Sequence, residues 1–231
     1  GLLDALDKYD TNKNTSFGTY VEYRIRGAIL DLLRGLDPVS RTTEVAYAMP
    51  STALDKVRSV PGVEWAVGVG DSVAVSGACL TVAALGEGGA MSFDLSAETL
   101  ERTWFQSLQP GRRLNLERAM RMDARLDGHL VSGHVDGGAE VIENRSSGDG
   151  GREIFFQADP GLDRYLVDKG SVTLDGVSLT VIAPEAGRFH VALIPLTLEL
   201  TTLGELTPGD RVNLEADMIG KWVERLLPPL G

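Results

Sequence analysis

Apolar and polar residues alternate in short runs along much of this chain, and each run is broken by a glycine-bearing turn. Val73 and Val75, then Leu80 and Val82, flank a break at Ser76-Gly77. Alternation interrupted in this way predicts strand, turn, strand. The pattern returns 99 positions later: Ser72–Val82 and Ser171–Val181 share six of eleven residues, and the second copy breaks at Asp175-Gly176, a stronger hairpin signal. Two further blocks repeat in the same order, Glu98–Thr103 as Leu196–Thr201 and Leu108–Glu117 as Leu206–Glu215. The first predicts a single turn or short helix. The second places Pro110-Gly111 and Pro208-Gly209 as turns before the last strands. A duplicated unit of roughly 90 to 100 residues follows, each copy a small β-barrel or sandwich of about six strands with turns every 8 to 12 residues.

The tail changes period. Met218, Ile219, Trp222, Val223, Leu226 and Leu227 fall at helical spacing before Pro228-Pro229. Such a stripe either covers the chain's own core or packs against another subunit. Composition narrows the class. The 231 residues allow one or two domains at roughly 150 residues each, and 43% hydrophobic with 24% charged residues excludes a wholly disordered chain. The net charge of −11 repels phosphate backbones, so a nucleic-acid partner needs a local basic patch. One cysteine forms no intrachain disulfide. No apolar run reaches the ~18 residues of a membrane span and no signal peptide opens the chain, so a cytoplasmic protein is expected.

Candidate chemistry sits on the repeated strands. Residues i and i+2 share a strand face, so Cys79 and Thr81 point one way, with Leu80 and Val82 opposite. Ser178 and Thr180 repeat the arrangement, with Leu179 and Val181 opposite. Small polar residues also suit any exposed strand face, but two matched pairs suggest two similar pockets. His129 and His134 lie in a glycine-flanked segment, Asp127–Gly137, at the join of the copies. Five residues apart, they take opposite faces of a regular strand, and no nearby Cys or third His completes a metal set. They suit proton transfer or, equally, a structural role; His190 reads as structural. Val67–Ser72 holds a Gly-x-Gly pair without the third glycine and leads into a strand, which excludes a phosphate loop.

Together these residues resemble the riboflavin synthase family over about 41–227. The motifs are the two Gly-x-(Cys/Ser)-Leu-Thr-Val strands, Gly128–His134, Lys169-Gly170 and Leu193–Thr197. The resemblance implies a mainly β fold, two tandem six-stranded Greek-key barrels (41–128 and 129–217) and a C-terminal oligomerisation helix (218–231). It implies a dismutation in which one 6,7-dimethyl-8-ribityllumazine gives a four-carbon unit to another, yielding riboflavin and 5-amino-6-(D-ribitylamino)uracil without metal or organic cofactor. It implies a homotrimer with active sites between barrels of different subunits. By the same resemblance Ser72, Cys79, His129, His134 and Asp217 are catalytic, Asp217 being equally a candidate helix cap. Leu80, Thr81, Asp94, Leu95, Ser96, Ala97, Glu98, Thr99, Gly133 and Val135 would line the first ligand. Lys169, Asp175, Ser178, Leu179, Thr180, Leu193, Ile194, Pro195, Leu196 and Thr197 would hold the second. A non-catalytic lumazine- or flavin-binding relative is the alternative.

Two departures stand out. Leu196 occupies a position where the family usually has a polar residue. The family's opening Phe-Thr strand is also missing: its counterpart in the second copy is Val131–Asp136, and the repeat offset lands on Leu32–Asp37, which keeps a glycine and apolar positions only. That degradation argues for weak or absent turnover. Residues 1–40, expected to be helical, are instead similar, over Lys8–Arg34, to region 2 of bacterial sigma factors of the flagellar class. Tyr20, Tyr23, Arg24 and Arg26 there suit base stacking and phosphate contact. The segment is near neutral and no promoter-reading helix-turn-helix follows, so polymerase or DNA contact is not expected. A fusion that replaced the first strand is the reading.

Overall fold

The computed structural model describes residues 43–48, 53–57 and 67–227. The sigma-like segment, Leu32–Asp37 and Pro228-Pro229 lie outside them. Two β-sheets follow one another. The first is a closed barrel of β1 (Thr43–Ala48), β2 (Ala53–Val57), β3 (Ser72–Val75), β4 (Ala78–Leu85), β5 (Met91–Asp94) and β6 (Arg112–Arg118), in the order β1-β2-β5-β4-β3-β6. All neighbours run antiparallel. A short helix α1 (Ala97–Arg102) follows β5, capped by Ser96, whose Oγ accepts from the Thr99 amide at 3.0 Å.

The second sheet contains β7 (Gly137–Ser146), β8 (Arg152–Ala158), β9 (Ser171–Leu174), β10 (Val177–Thr180), β11 (Ile182–Glu185), β12 (Arg188–Leu193) and β13 (Arg211–Ala216). Its order, β10-β9-β13-β7-β8-β12-β11, is the order of the first barrel with β4 cut in two. Ala183, at φ 48°, bends the chain just past the buried Val181, and the β11–β12 register slips there. Seven strands thus stand where six were expected, because the chain breaks at Val181, whose amide and carbonyl bond to Gly170 and Lys169 in the preceding loop. Helix α2 (Pro195–Leu200) repeats α1.

Alternation decides the burial. On β4, Ala78, Leu80 and Val82 are buried while Cys79, Thr81 and Ala83 are exposed. Val73, Val75, Met91, Phe93, Leu114 and Leu116 complete one core. Ile154, Phe156, Val172, Leu174, Val191 and Leu214 belong to a separate one. Each full burial of such a side chain contributes about 1.5–3 kcal/mol.

The two hairpin tips meet. A Cβ on Gly77 would lie 2.6 Å from the Gly176 nitrogen, so only glycines allow the approach. Around them the duplicated asparagines exchange bonds: Asn115 Nδ2 donates to the Asp175 carbonyl and Asn213 Nδ2 to the Ser76 carbonyl, both at 2.8 Å. Asn213 Oδ1 accepts from the Trp104 amide and Asn115 Oδ1 from the Thr202 amide. This is a local two-fold arrangement with one asymmetry. Asp175 Oδ1 accepts from Trp104 Nε1 at 2.9 Å, whereas the Thr202 hydroxyl, at the position equivalent to Trp104, is buried without a partner.

The tail forms α3 (Met218–Leu226), with Asp217 accepting from the Ile219 amide at 2.9 Å as its cap. Its polar side faces the second barrel, where Glu224 accepts from Arg164 and from the Tyr165 hydroxyl and Lys221 pairs with Asp136. The apolar stripe faces outward: Trp222 is 59% and Leu226 78% exposed. Of the two readings of the stripe, cover for the chain's own core does not occur among the described residues. Among the described residues no helix is long and apolar enough to cross a membrane.

Candidate functional site

The segment between the sheets, 129–136, is a strap and not a strand, which corrects the assignment of its two histidines to opposite strand faces. Gly128 and Gly133 are left-handed, at φ 113° and 76°. Its polar groups also bind side chains of the barrels more than they extend a ladder. His129 reaches the second barrel: its Nδ1 lies 2.8 Å from Ser178 Oγ and its Nε2 3.1 Å from Thr173 Oγ1. Half-burial of the ring pushes its pKa down, against the upward pull of the Asp217 and Glu215 carboxylates. Burial thus favours the uncharged form of the ring, whose two nitrogens both face hydroxyl groups.

Four residues on, the strap crosses to the first barrel. The Gly133 carbonyl accepts from the Cys79 amide at 2.8 Å, and a Cβ on Gly133 would lie 2.6 Å from that of Cys79. Val135 packs on the first barrel's core, and His134 between them is exposed. Thus the two histidines part company: His129 stands on Ser178, and His134 follows the glycine that covers Cys79.

A buried carboxylate holds the strap. Glu215 Oε1 accepts from the Ser132 amide and hydroxyl at 2.9 and 2.7 Å, and Oε2 from the Gly133 amide at 2.9 Å. Register explains the placement. Ser178 pairs with Thr173, and Thr173 pairs with Glu215, so the three side chains form one row across β10, β9 and β13. The equivalent row of the first barrel is Cys79, Ala74 and Glu117.

Ser72 pairs with Thr81, and both lie exposed beside Cys79. Asp94, Ser96, Ala97 and Glu98 are exposed and Thr99 half-buried at the start of α1, with Glu98 paired to Arg102. Leu80 and Leu95 belong to the core. In the second copy Lys169, Thr180, Ile194 and Pro195 are exposed, and Ser178, Leu179, Leu196 and Thr197 half-buried. Lys169 adopts φ 63° where the first copy has Gly70 at 93°. Leu193 lies in the core. Asp175 departs furthest from expectation: it is 3% exposed at the contact between barrels, bonded to Trp104 and the Asn213 amide. Burial pushes its carboxyl up to about 7, with the two donors pulling down. Its Oδ1 is thus engaged by protein groups at the contact between the hairpin tips.

The Lumazine binding domain family matches residues 39–119 and again 132–217. The riboflavin synthase of Mycobacterium tuberculosis is 46% identical over 167 residues, which cover 71% of this chain and 83% of the relative. The chain belongs to the riboflavin synthase family. Members from Photobacterium phosphoreum and Bacillus subtilis are 45% and 43% identical, each over 70% of this chain and 73% and 74% of their own. Among solved structures, LumP complexed with 6,7-dimethyl-8-(1'-D-ribityl) lumazine aligns at a TM-score of 0.68 and 19% identity, over 77% of this chain and 97% of LumP. LumP complexed with riboflavin gives 0.68 at 20%. At that identity the likeness is one of fold.

Sequence reasoning passed over Thr173, Ser132, Glu215 and the asparagine pair. The last left a visible trace, because Asn-Leu-Glu recurs at 115–117 and 213–215. Which barrel each strap residue touches left none.

Proposed function

We propose that this chain is a riboflavin synthase that disproportionates two molecules of 6,7-dimethyl-8-ribityllumazine, passing a four-carbon unit from one to the other. Riboflavin and 5-amino-6-(D-ribitylamino)uracil are the products. The observation that carries the reading is 46% identity across most of a riboflavin synthase, through both repeats. The duplicated polar rows suit a reaction that needs two like substrates. Each barrel with its flanking loops, 41–128 and 129–217, takes one. Ser72, Cys79, Thr81 and the start of α1 hold the first, and Ser178, Thr180, Lys169 and Ile194–Thr197 the second. Removing a proton from an acidic methyl needs a weak base, for which His134 and His129 are placed on the strap. Asp217, at the head of α3, adds a carboxylate near them. Face-to-face holding of two rings supplies much of the acceleration through orientation.

The enzyme works as a cytoplasmic homotrimer, with the outward stripe of α3 as its assembly surface. Incubating the purified protein with 6,7-dimethyl-8-ribityllumazine and following riboflavin fluorescence tests the activity. Riboflavin formation without added metal or cofactor is the expected result. Tight lumazine binding with no riboflavin would replace the enzyme by a binding protein.

A further inference from the structure

We infer that Glu215 is a positioning residue of this site, whose buried carboxylate clamps the strap so that Gly133 seats on Cys79 and the two histidines take their places on either barrel. The inference rests on the reading that the strap borders the ligands. A carboxylate 3% exposed on a strand is costly unless its oxygens are satisfied. All three of its donors belong to two successive strap residues, Ser132 and Gly133. None comes from the barrel that carries it. The strands close their own ladders without this side chain, as the β13–β7 and β13–β9 pairings run through backbone groups. Two residues earlier on the same face, Asn213 joins the barrels. Glu215 joins the strap.

The strap has two other anchors, and both leave its centre free. His129 is bonded at one end, and Asp136 at the other accepts from the Ala216 amide and pairs with Lys221. Between them a left-handed glycine must be pressed to within van der Waals contact of Cys79. Glu215 is the group that presses it there. It touches no reacting atom in this account and acts through the strap.

Glu215→Gln keeps the volume but turns an NH2 toward backbone N–H donors, so a bond is lost and a donor faces a donor. The Cys79 amide, whose acceptor is Gly133, reports strap seating in the ligand-free protein by hydrogen exchange. In Glu215→Gln that amide is expected to exchange at least tenfold faster, while strand amides such as Leu114 and the melting temperature stay near wild type. Riboflavin formation should fall at least tenfold in kcat, with a smaller change in KM, and Glu215→Asp should recover part of it. Ser132→Ala removes a single bond and should move both readouts the same way by less; if Glu215→Gln fails to fold, it decides. Unchanged protection of Cys79 in the folded variants, or unchanged kcat with the strap displaced, overturns the inference. A wild-type protein without riboflavin formation would instead sink the enzymatic reading, and the exchange result would still tell whether Glu215 seats the strap.

Discussion

At Gly133 a single missing methyl group decides the geometry of the strap. A Cβ there would lie 2.6 Å from Cys79 Cβ and 2.8 Å from its nitrogen, on a backbone already at φ 76°. Gly133→Ala is therefore expected to destabilise by about 1–3 kcal/mol through backbone strain and to abolish most riboflavin formation. Denaturant melts and the fluorescence assay check both; wild-type behaviour in either would show that the strap yields freely. Asp175 shows the opposite economy, a charge-bearing group held where charge is disfavoured. Burial pushes its carboxyl from the ordinary 3.8 up to about 7 in the fold. Between those values the native state keeps a proton that the unfolded chain has released. Stability is thus fully present below pH 3.8 and falls as pH rises through about 7, by an amount on the order of a few kcal/mol. Asp175→Asn preserves an oxygen acceptor for Trp104 and Asn213. It should flatten that part of the pH–stability curve, and a variant curve parallel to wild type would refute the assignment.

Among the elements, the paired hairpin tips and α3 are built for contact, one inside the chain and one outside it. Gly77 and Gly176 approach so closely that the barrels are joined backbone to backbone. Gly77→Ala, at φ 81° and 2.6 Å from the Gly176 nitrogen, is expected to push the tips apart and split a single thermal transition into two. Calorimetry showing one unshifted transition would mean that the asparagine exchange alone couples the barrels. Helix α3 is fixed through its polar face by Arg164, Tyr165 and Asp136, which leaves Ile219, Trp222, Val223 and Leu226 in water. An amphipathic helix docked this way round calls for a second apolar surface.

For the whole molecule, the trimer proposed above would supply that surface from a further copy of the chain. Replacing Trp222 and Leu226 together by Glu should convert the assembly to monomers in sedimentation, with each barrel still folded. If riboflavin formation depends on barrels of different subunits, it should fall with the mass, whereas full activity in the monomer would place both substrates within one chain. The net charge of −11 favours solubility of the separated chains.

Local pattern determined a good deal by itself. Period-two alternation fixed which residues of β3 and β4 enter the core, since a pleated strand leaves each side chain only two directions. The repeat disclosed two copies of one fold, and the 3.6-residue spacing disclosed α3. The polar faces of Cys79–Thr81 and Ser178–Thr180 were legible for the same reason, as was their kinship with the family. Tertiary structure decided the rest. Whether Asp175 meets ligand or protein, which histidine stands on which barrel, and which carboxylate holds the strap all depend on residues distant in sequence. Glu215 lies 83 positions from Ser132, and Asp175 lies 71 from Trp104. No local periodicity encodes such distances, because they are set by how the two sheets and the strap between them pack together.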